Sequence, residues 1–196
     1  MKKIVHILFI MLVGFASSLI ADDSQSIKRI FVGEKNAKIT IIAYESLTCG
    51  HCADFHENVY PSLKKDFIEK GLVRIEFRHF PLDIAAFNAS KIGQCNNDGN
   101  ADVLNILFSG QKKWARGKTP EEATKYLKKF LEDEGVNIDF EKCINDKNIE
   151  DYVLNDRIEG VKKFKVNATP TIIINDKRFE KALNYKNIKK YLEKLI

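Results

Sequence analysis

The sequence predicts an α/β protein: a strand–helix–strand unit, a helical insertion at about residues 82–166, and a closing strand–strand–helix unit. Two β-branched apolar runs, Ile39–Tyr44 and Thr171–Ile174, indicate buried strands. An apolar face with helical spacing follows Cys52, and no linker rich in Gly, Ser or Pro divides the chain. The 196 residues are 44% hydrophobic, so they can bury a core as one globular unit.

The first half contains two strands and the helix between them. The helix begins near Cys52 and ends at Gly71, and Pro61 inside it predicts a kink. Apolar and charged residues alternate over Leu72–Phe80, which predicts a second strand that is half buried or at an edge of the sheet. A helix joins the two strands, so we expect them to be parallel. The apolar face of this helix consists of Phe55, Val59, Leu63 and Phe67.

The insertion is predicted to be helical, and the chain then returns to β structure. The strongest helix signal is Thr119-Pro120-Glu121-Glu122, a capping box with proline at the first helical position, and Gly135 ends that helix. A turn at Asn175-Asp176-Lys177 reverses the chain after the last apolar strand. The apolar faces predicted for three helices are Ala123, Tyr126, Leu127, Phe130 and Leu131; Leu154, Ile158, Val161 and Phe164; and Ile188, Tyr191, Leu192 and Leu195.

The N-terminus predicts export to the periplasm. Lys2 and Lys3 precede the apolar run Ile4–Ala16, and the segment after it ends at the small residue Ala21, an order typical of a signal peptide. The run is shorter than the roughly 20 residues of a membrane-spanning helix, and an uncleaved anchor is the alternative. We expect residues 1–21 to be removed, with cleavage after Ser18 as the other possibility. The rest of the chain then enters a compartment in which disulfides persist.

The motif Cys49-Gly50-His51-Cys52 lies between the first strand and the first helix. A thiol in the first helical turn faces unpaired N–H groups and the positive end of the helix dipole, which favour the thiolate. A protonated His51 adds a positive neighbour. A stabilised thiolate is a good leaving group, so its disulfide passes readily to another protein. We therefore predict that Cys49 is the reactive cysteine and that Cys52 is the more buried one.

This motif has two other interpretations, a purely structural disulfide and half of a zinc site. A zinc site needs two further ligands. Cys95 and Cys143 stand alone in the sequence, and His56, four residues after Cys52, is expected to be exposed. We therefore predict no metal site and no dissociable cofactor.

A second motif, Ala168-Thr169-Pro170-Thr171, precedes the last apolar strand. Proline at the start of a strand loses no ladder hydrogen bond, and an X–Pro bond here could be cis. Alone, the motif marks a boundary between a loop and a strand. With the cysteine motif it resembles the DsbA family of thioredoxin-fold thiol:disulfide oxidoreductases. The resemblance covers nearly all of residues 22–196 and includes Tyr44-Glu45-Ser46-Leu47-Thr48, the Cys49–Cys52 motif, Pro61, Phe80-Pro81-Leu82 and the helical insertion.

The resemblance implies a thioredoxin fold, βαβ–ββα, with a helical insertion between the second and third core strands. It implies catalysis by Cys49 and Cys52, with His51 between them. It also implies that Pro170 is cis and packs against the cysteines, and that the backbone of Thr169 binds an extended substrate peptide.

The chain departs from the pattern of many family members at two positions. Gly50 stands where many members have proline, and the residues between the cysteines tune the redox potential in that family. Ala43 stands where many members have an acid that relays protons to the buried cysteine. Glu45 lies on the same face of the strand. It either replaces that acid or lies at the exposed end of the strand without a role.

Cys95 and Cys143 both fall in the helical insertion. Two cysteines left over from an even count in an oxidising compartment favour a disulfide, and free buried cysteines are the alternative. A branch of the DsbA family carries such a second disulfide, so the resemblance implies a structural bond between Cys95 and Cys143.

Together these features predict a monomeric periplasmic enzyme that donates a disulfide to exported proteins. The resemblance implies that a quinone-linked membrane partner of the DsbB type reoxidises it. The alternatives are a disulfide isomerase or reductase of the same fold, and a non-enzymatic metal- or peptide-binding module. Family isomerases usually dimerise through an N-terminal domain, for which the segment between Ala21 and Ile39 is too short. The net charge of +5, with both signs interspersed, argues against a nucleic-acid partner.

Overall fold

The computed structural model describes residues 27–196, in which five strands form one sheet of order β1-β3-β2-β4-β5. Strands β2 and β3 are parallel, and the other neighbouring pairs are antiparallel. The predicted signal peptide, residues 1–21, lies outside the described residues. The strands are β1 (Ile30–Val32), β2 (Ile39–Glu45), β3 (Val73–His79), β4 (Thr171–Ile174) and β5 (Lys177–Arg178).

The first helix covers residues 50–68 and is irregular. Pro61 lies in its third part, with a π-helical stretch on each side. Proline has no N–H to donate to the preceding turn, and π-helical turns adjust the backbone around it. The four residues of the predicted apolar face are all buried. The parts of the first helix are α1 (Gly50–Asp54), π1 (Phe55–Val59), α2 (Tyr60–Leu63) and π2 (Lys64–Ile68).

The other helices lie between β3 and β4, apart from the last. The side-chain oxygen of Thr119 accepts a hydrogen bond from the backbone N–H of Glu122, as the capping motif predicts. Gly135, with φ of +69°, follows the end of this helix. Within residues 27–196, no helix combines the length and the apolar character needed to cross a membrane. The helices are α3 (Ile84–Gln94), α4 (Asp102–Ser109), α5 (Gln111–Trp114), α6 (Pro120–Asp133), α7 (Phe140–Asn145), α8 (Lys147–Phe164) and α9 (Tyr185–Leu192).

Helices cover both faces of the sheet. On one face, Ile41 and Ala43 belong to a core that includes the first helix, α9 and the insertion, with Trp114 fully buried in it. On the other face, Tyr44 packs with Phe80 in a smaller cluster beneath α8. This arrangement of strands and helices confirms the predicted α/β fold with a helical insertion.

Strand β3 is an interior strand, so the prediction of a half-buried or edge strand was wrong. Strand β1, which the sequence pattern does not indicate, pairs with β3 on the side away from β2. The charged face of β3 lies beneath α8, where Arg78 is 7% exposed and Glu76 is 9% exposed. These two side chains form an ion pair of 2.9 Å, and Arg78 also contacts Glu159 at 3.0 Å. The alternating charges therefore mark buried ion pairs rather than a solvent-facing side.

The predicted apolar face of α8 was also wrong. Leu154, Ile158 and Val161 are 40% to 46% exposed. The buried side carries Asp156, which accepts hydrogen bonds from the side chain of Arg29 and from the backbone of His79. A buried charge lies where periodicity alone expects an apolar residue. Four further residues differ from the predicted faces: Tyr126 and Leu195 are exposed, and Phe164 and Tyr191 are half-buried.

Candidate active site

The two cysteines of the motif lie where β2 passes into the first helix. Cys49 is the N-terminal cap of α1 and is half-buried, whereas Cys52 is fully buried. Both are free thiols in this structure. Gly50 and His51, between them, are exposed. Another protein can therefore approach the sulfur of Cys49 but not that of Cys52.

The environment of Cys49 favours its thiolate. The pKa of this thiol is lowered from 9.0 to about 5. The largest cause is the hydrogen bond from the Cys52 thiol, which burial opposes. The side chain of Thr169 and the backbone N–H groups of Cys52 and His51 lower the pKa further. Cys49 is thus predominantly ionised at neutral pH.

The environment of Cys52 has the opposite effect. Burial raises the pKa of this thiol, and the hydrogen bond to Cys49 and the negative charge of Glu45 raise it further. Cys52 therefore stays protonated at every pH at which Cys49 becomes a thiolate. The two sulfurs are chemically unequal, as a disulfide-exchanging pair requires.

The peptide bond between Thr169 and Pro170 is cis, and this step lies beside the cysteines. Pairing of Thr171 with Tyr44, next to the end of β2, brings the step to the same edge of the sheet. The sulfur of Cys49 lies 3.3 Å from the carbonyl oxygen of Thr169. Thr169 and Pro170 are both half-buried, so they border the surface that surrounds the exposed side of Cys49.

Glu45 and His56 form a buried pair beneath the first helix. Glu45 is 5% exposed, which excludes the alternative that it lies at the exposed end of the strand. Its Oε2 is 2.9 Å from Nε2 of His56, whose side chain is only 6% exposed. The expectation of an exposed His56 was wrong, because Phe108 from the insertion stacks on the imidazole at 4.0 Å between ring centroids.

The insertion also supplies a site residue that no sequence motif indicates. The side-chain amide of Gln111, in α5, donates hydrogen bonds to the carbonyl oxygens of Leu47 at 2.9 Å and Cys49 at 3.0 Å. These bonds fix the loop that carries the reactive cysteine. No local motif marks Gln111, since its partners lie more than 60 positions earlier in the chain.

The other two cysteines are bonded to each other. Cys95, at the end of α3, and Cys143, in α7, form a disulfide with a Cα–Cα distance of 5.5 Å. Neither thiol is therefore available as a ligand for a metal at Cys49 and Cys52. Within the described part of the chain, no cluster of three His, Cys, Asp or Glu residues is placed to hold a metal ion.

Comparison with known protein families agrees with the fold. A family model described as Thioredoxin matches residues 25–194. The chain belongs to the thioredoxin family.

Within this family the chain is similar to DsbA-type proteins, as the sequence motifs indicated. The crystal structure of alpha-DsbA1 from Wolbachia pipientis matches with a TM-score of 0.75 and 30% identity, over 85% of this chain and 90% of that chain. Disulfide bond formation protein D of Bacillus subtilis is 27% identical over 83% of this chain and 75% of its own length. A candidate protein-disulfide oxidoreductase of Rickettsia bellii is 28% identical over 74% of this chain. That match covers 56% of the Rickettsia protein, so the chain spans about half the length of this relative.

Proposed function

We propose that this protein is a thiol:disulfide oxidoreductase that donates a disulfide to exported proteins. The observation that carries the proposal is the inequality of the two sulfurs: Cys49 is accessible and has a pKa of about 5, while burial raises the pKa of Cys52. A purely structural disulfide has no use for a stabilised thiolate. The similarity to DsbA-type proteins supports the same activity.

The reaction begins with the oxidised pair. A substrate thiolate attacks the sulfur of Cys49, the bond between Cys49 and Cys52 breaks, and Cys52 leaves as a thiolate that takes up a proton. A second thiolate of the substrate then attacks the substrate sulfur of the mixed disulfide. Cys49 leaves as a thiolate, the substrate gains a disulfide, and the pair gains two electrons. The low pKa of Cys49 makes it a good leaving group in this second step.

The same inequality determines the direction of transfer. Stabilisation of the Cys49 thiolate exists only when the disulfide is open, so it favours the reduced form of the protein. A protein whose reduced form is the more stable one oxidises its partners. Gly50 leaves the start of the helix less rigid than proline would. We therefore expect an oxidant that is somewhat weaker than the strongest family members.

The substrate peptide is expected to bind beside the Thr169–Pro170 step. The carbonyl oxygen of Thr169 lies 3.3 Å from the sulfur of Cys49, so a peptide that hydrogen-bonds to the Thr169 backbone would bring its own cysteine to the reactive atom. His51 is exposed in the first turn of the helix, and its backbone N–H helps to lower the pKa of Cys49. Glu45, buried near Cys52, is proposed as the group that exchanges a proton with it.

The cellular setting completes the proposal. The predicted signal peptide and the similarity to DsbA-type proteins support a periplasmic location. A quinone-linked membrane protein of the DsbB type would accept the two electrons and restore the Cys49–Cys52 disulfide. We propose that the protein acts as a monomer, and that the Cys95–Cys143 disulfide is structural and stays oxidised throughout the cycle.

Alkylation tests the assignment of the two cysteines. The reduced protein is treated with one equivalent of iodoacetamide at pH 6, and the labelled site is identified by peptide mass spectrometry. We expect labelling of Cys49, because it is ionised and accessible at this pH. Cys52→Ser should keep a reactive thiol and Cys49→Ser should lose it. Preferential labelling of Cys52 would reverse the assignment.

Activity is tested with a reduced peptide that contains two cysteines. The oxidised protein should convert it to the disulfide form in a stoichiometric reaction, and Cys49→Ser should be inactive. If the wild-type protein leaves the peptide reduced while its own pair is oxidised, the proposed function is wrong.

A further inference from the structure

His56 belongs to a buried polar cluster around Glu45, and the exchange reaction described above gives His56 no role. Among residues 27–196, six buried side-chain polar atoms have no hydrogen-bond partner, and three of them lie in this cluster: Oε1 of Glu45, Nδ1 of His56 and the hydroxyl of Tyr60. Buried polar atoms in native proteins are nearly always paired, so three orphans in one place need an explanation. A catalytic or redox role is one such explanation.

The cluster lies next to the buried sulfur. Cys52 and His56 are four positions apart on the first helix and therefore share a face. Glu45 reaches the same place from β2, on the same side of the sheet as Ala43. The negative charge of Glu45 is one of the causes that raise the pKa of Cys52, so the two groups interact electrostatically.

The contact between His56 and Glu45 leaves one carboxylate oxygen free. Nε2 of His56 bonds to Oε2 at 2.9 Å, and Oε1 has no partner among the described residues. The imidazole is itself held by Phe108, stacked at 4.0 Å, and by Phe77 at 5.2 Å between ring centroids. A ring packed in this way has one orientation, so its hydrogen bond fixes the position of the carboxylate.

A cavity connects this cluster to the surface. It has a volume of about 590 Å³, and His56 and Tyr60 form part of its wall. Its wall also includes exposed charged residues of both signs, so the cavity opens to bulk water. The titratable and charged groups around His56 are Glu45 from β2, Cys52, Glu57, Tyr60 and Lys64 from the first helix, Asp102 from α4, and Lys112 from α5.

We propose that His56 is a positioning residue for proton exchange at Cys52. Its Nε2–H donates a hydrogen bond to Oε2 of Glu45, and this bond holds the carboxylate in place, with Oε1 free to receive the Cys52 proton. During reoxidation the proton of Cys52 moves to Glu45, the Cys52 sulfur attacks the Cys49 sulfur of a mixed disulfide, and the partner leaves as a thiolate. In the reverse direction, when Cys52 leaves as a thiolate, the proton returns from Glu45 to the Cys52 sulfur. The inference rests on the proposed thiol:disulfide exchange and adds a residue to it.

The experiment isolates the step at which Cys52 acts. The reduced protein is mixed with oxidised glutathione, samples are quenched with acid, and mass spectrometry follows the adduct of glutathione with Cys49. Formation of the adduct reports on Cys49, and its decay to the internal disulfide reports on Cys52. A role in the second step alone changes decay without changing formation, which a general loss of structure does not do.

Two substitutions of His56 separate the hydrogen bond from the packing. His56→Phe keeps an aromatic ring against Phe108 and loses the hydrogen bond, so adduct decay should become about tenfold slower at pH 7. This effect is smaller than the roughly 10²–10⁴-fold contribution of a complete general acid or base, because Glu45 itself remains. His56→Gln can still donate a hydrogen bond to Glu45, and its decay should stay within about twofold of wild type. Adduct formation should be unchanged in both variants. Glu57→Gln, which neutralises an exposed acid at the same cavity, should leave both steps unchanged.

Three results would overturn the proposal. The first is a folded His56→Phe variant whose adduct decays at the wild-type rate. The second is equal slowing of adduct decay in His56→Phe and His56→Gln, which would mean that the imidazole ring matters and its hydrogen bond to Glu45 does not. If His56→Phe does not fold, Glu45→Gln provides the test. In that variant the rate of adduct decay should fall steeply with decreasing pH, because hydroxide alone removes the Cys52 proton. A pH profile equal to that of the wild type is the third contrary result. Failure of the proposed function looks different, since then the oxidised wild-type protein leaves the reduced two-cysteine peptide unchanged.

Discussion

Lowering the pH should destabilise the reduced protein through one side chain, the thiol of Cys49. Folding lowers the pKa of this group from 9.0 to about 5. A group whose pKa is depressed in the folded state stabilises the fold above its unfolded pKa, and this contribution is lost as the pH falls through the folded pKa. The stabilisation is therefore complete above about pH 9 and absent below about pH 5.

The magnitude at neutral pH follows from these two values. Each pH unit within this window changes the free energy of unfolding by up to about 1.4 kcal/mol. At pH 7, about two units above the folded pKa, the upper figure is about 2.7 kcal/mol. Cys49 is partly exposed, and screening by solvent reduces the effect, so we expect about 1–2 kcal/mol at pH 7.

Urea unfolding of the wild type and of Cys49→Ser measures this contribution. Both proteins are unfolded in the same phosphine reductant at several pH values between 4 and 8. Other titrating groups contribute nearly equally to both proteins, so the difference in unfolding free energy isolates the Cys49 thiol. We expect this difference to rise by about 1–2 kcal/mol in favour of the wild type between pH 5 and pH 7.

A difference that stays constant from pH 5 to pH 8 would refute this reasoning, because it would mean that folding does not stabilise the Cys49 thiolate. The redox forms provide a second check at pH 7, where the reduced wild type should melt above the oxidised one. The opposite order would make the Cys49–Cys52 disulfide a stabilising bond, and would favour a reductase or a structural pair over an oxidant.

Three sets of substitutions test the packing that supports the site. Replacing Cys95 and Cys143 by Ser should lower the free energy of unfolding in urea by up to about 4 kcal/mol, from the chain entropy of a loop with a sequence separation of 48, with exchange activity retained. Asp156→Ala removes the buried carboxylate that contacts Arg29 and Arg78 and accepts the backbone N–H of His79, and it should cost about 3 kcal/mol in the same assay. Gly160→Ala should lower the melting temperature and cost about 1–3 kcal/mol, since the added Cβ would lie 2.8 Å from the ring of Tyr44.

Each of these predictions has a contrary result. An unchanged unfolding free energy with four free thiols in the native protein would show that the second disulfide does not form. Asp151→Ala, on the exposed side of α8, is the control for Asp156→Ala, and equal effects of the two would contradict the buried ion network. Unchanged melting of Gly160→Ala would show that α8 does not lie against Tyr44.

The sequence by itself determined the features that depend on neighbouring residues. The strands Ile39–Glu45 and Thr171–Ile174 follow from β-branched apolar runs. The helix after Thr119 follows from its capping box, in which the Thr119 hydroxyl accepts a hydrogen bond from the backbone N–H of Glu122, three residues later. The placement of Cys49 at the start of a helix is local as well, and it is this placement that made Cys49 the predicted reactive cysteine. In each case the interacting residues are only a few positions apart, so the local sequence pattern is enough to predict the feature.

Tertiary structure alone decided which polar residues are buried, because their partners are distant in sequence. Arg78 looks like a solvent-facing residue of an alternating strand, and it is buried because Asp156 and Glu159 reach it from a helix about 80 positions later. His56 looks like an exposed helical residue, and it is buried because β2 supplies Glu45 and the insertion supplies Phe108. A charged or polar side chain enters a protein interior only where such partners offset the cost of removing it from water, and that condition is a property of the assembled fold.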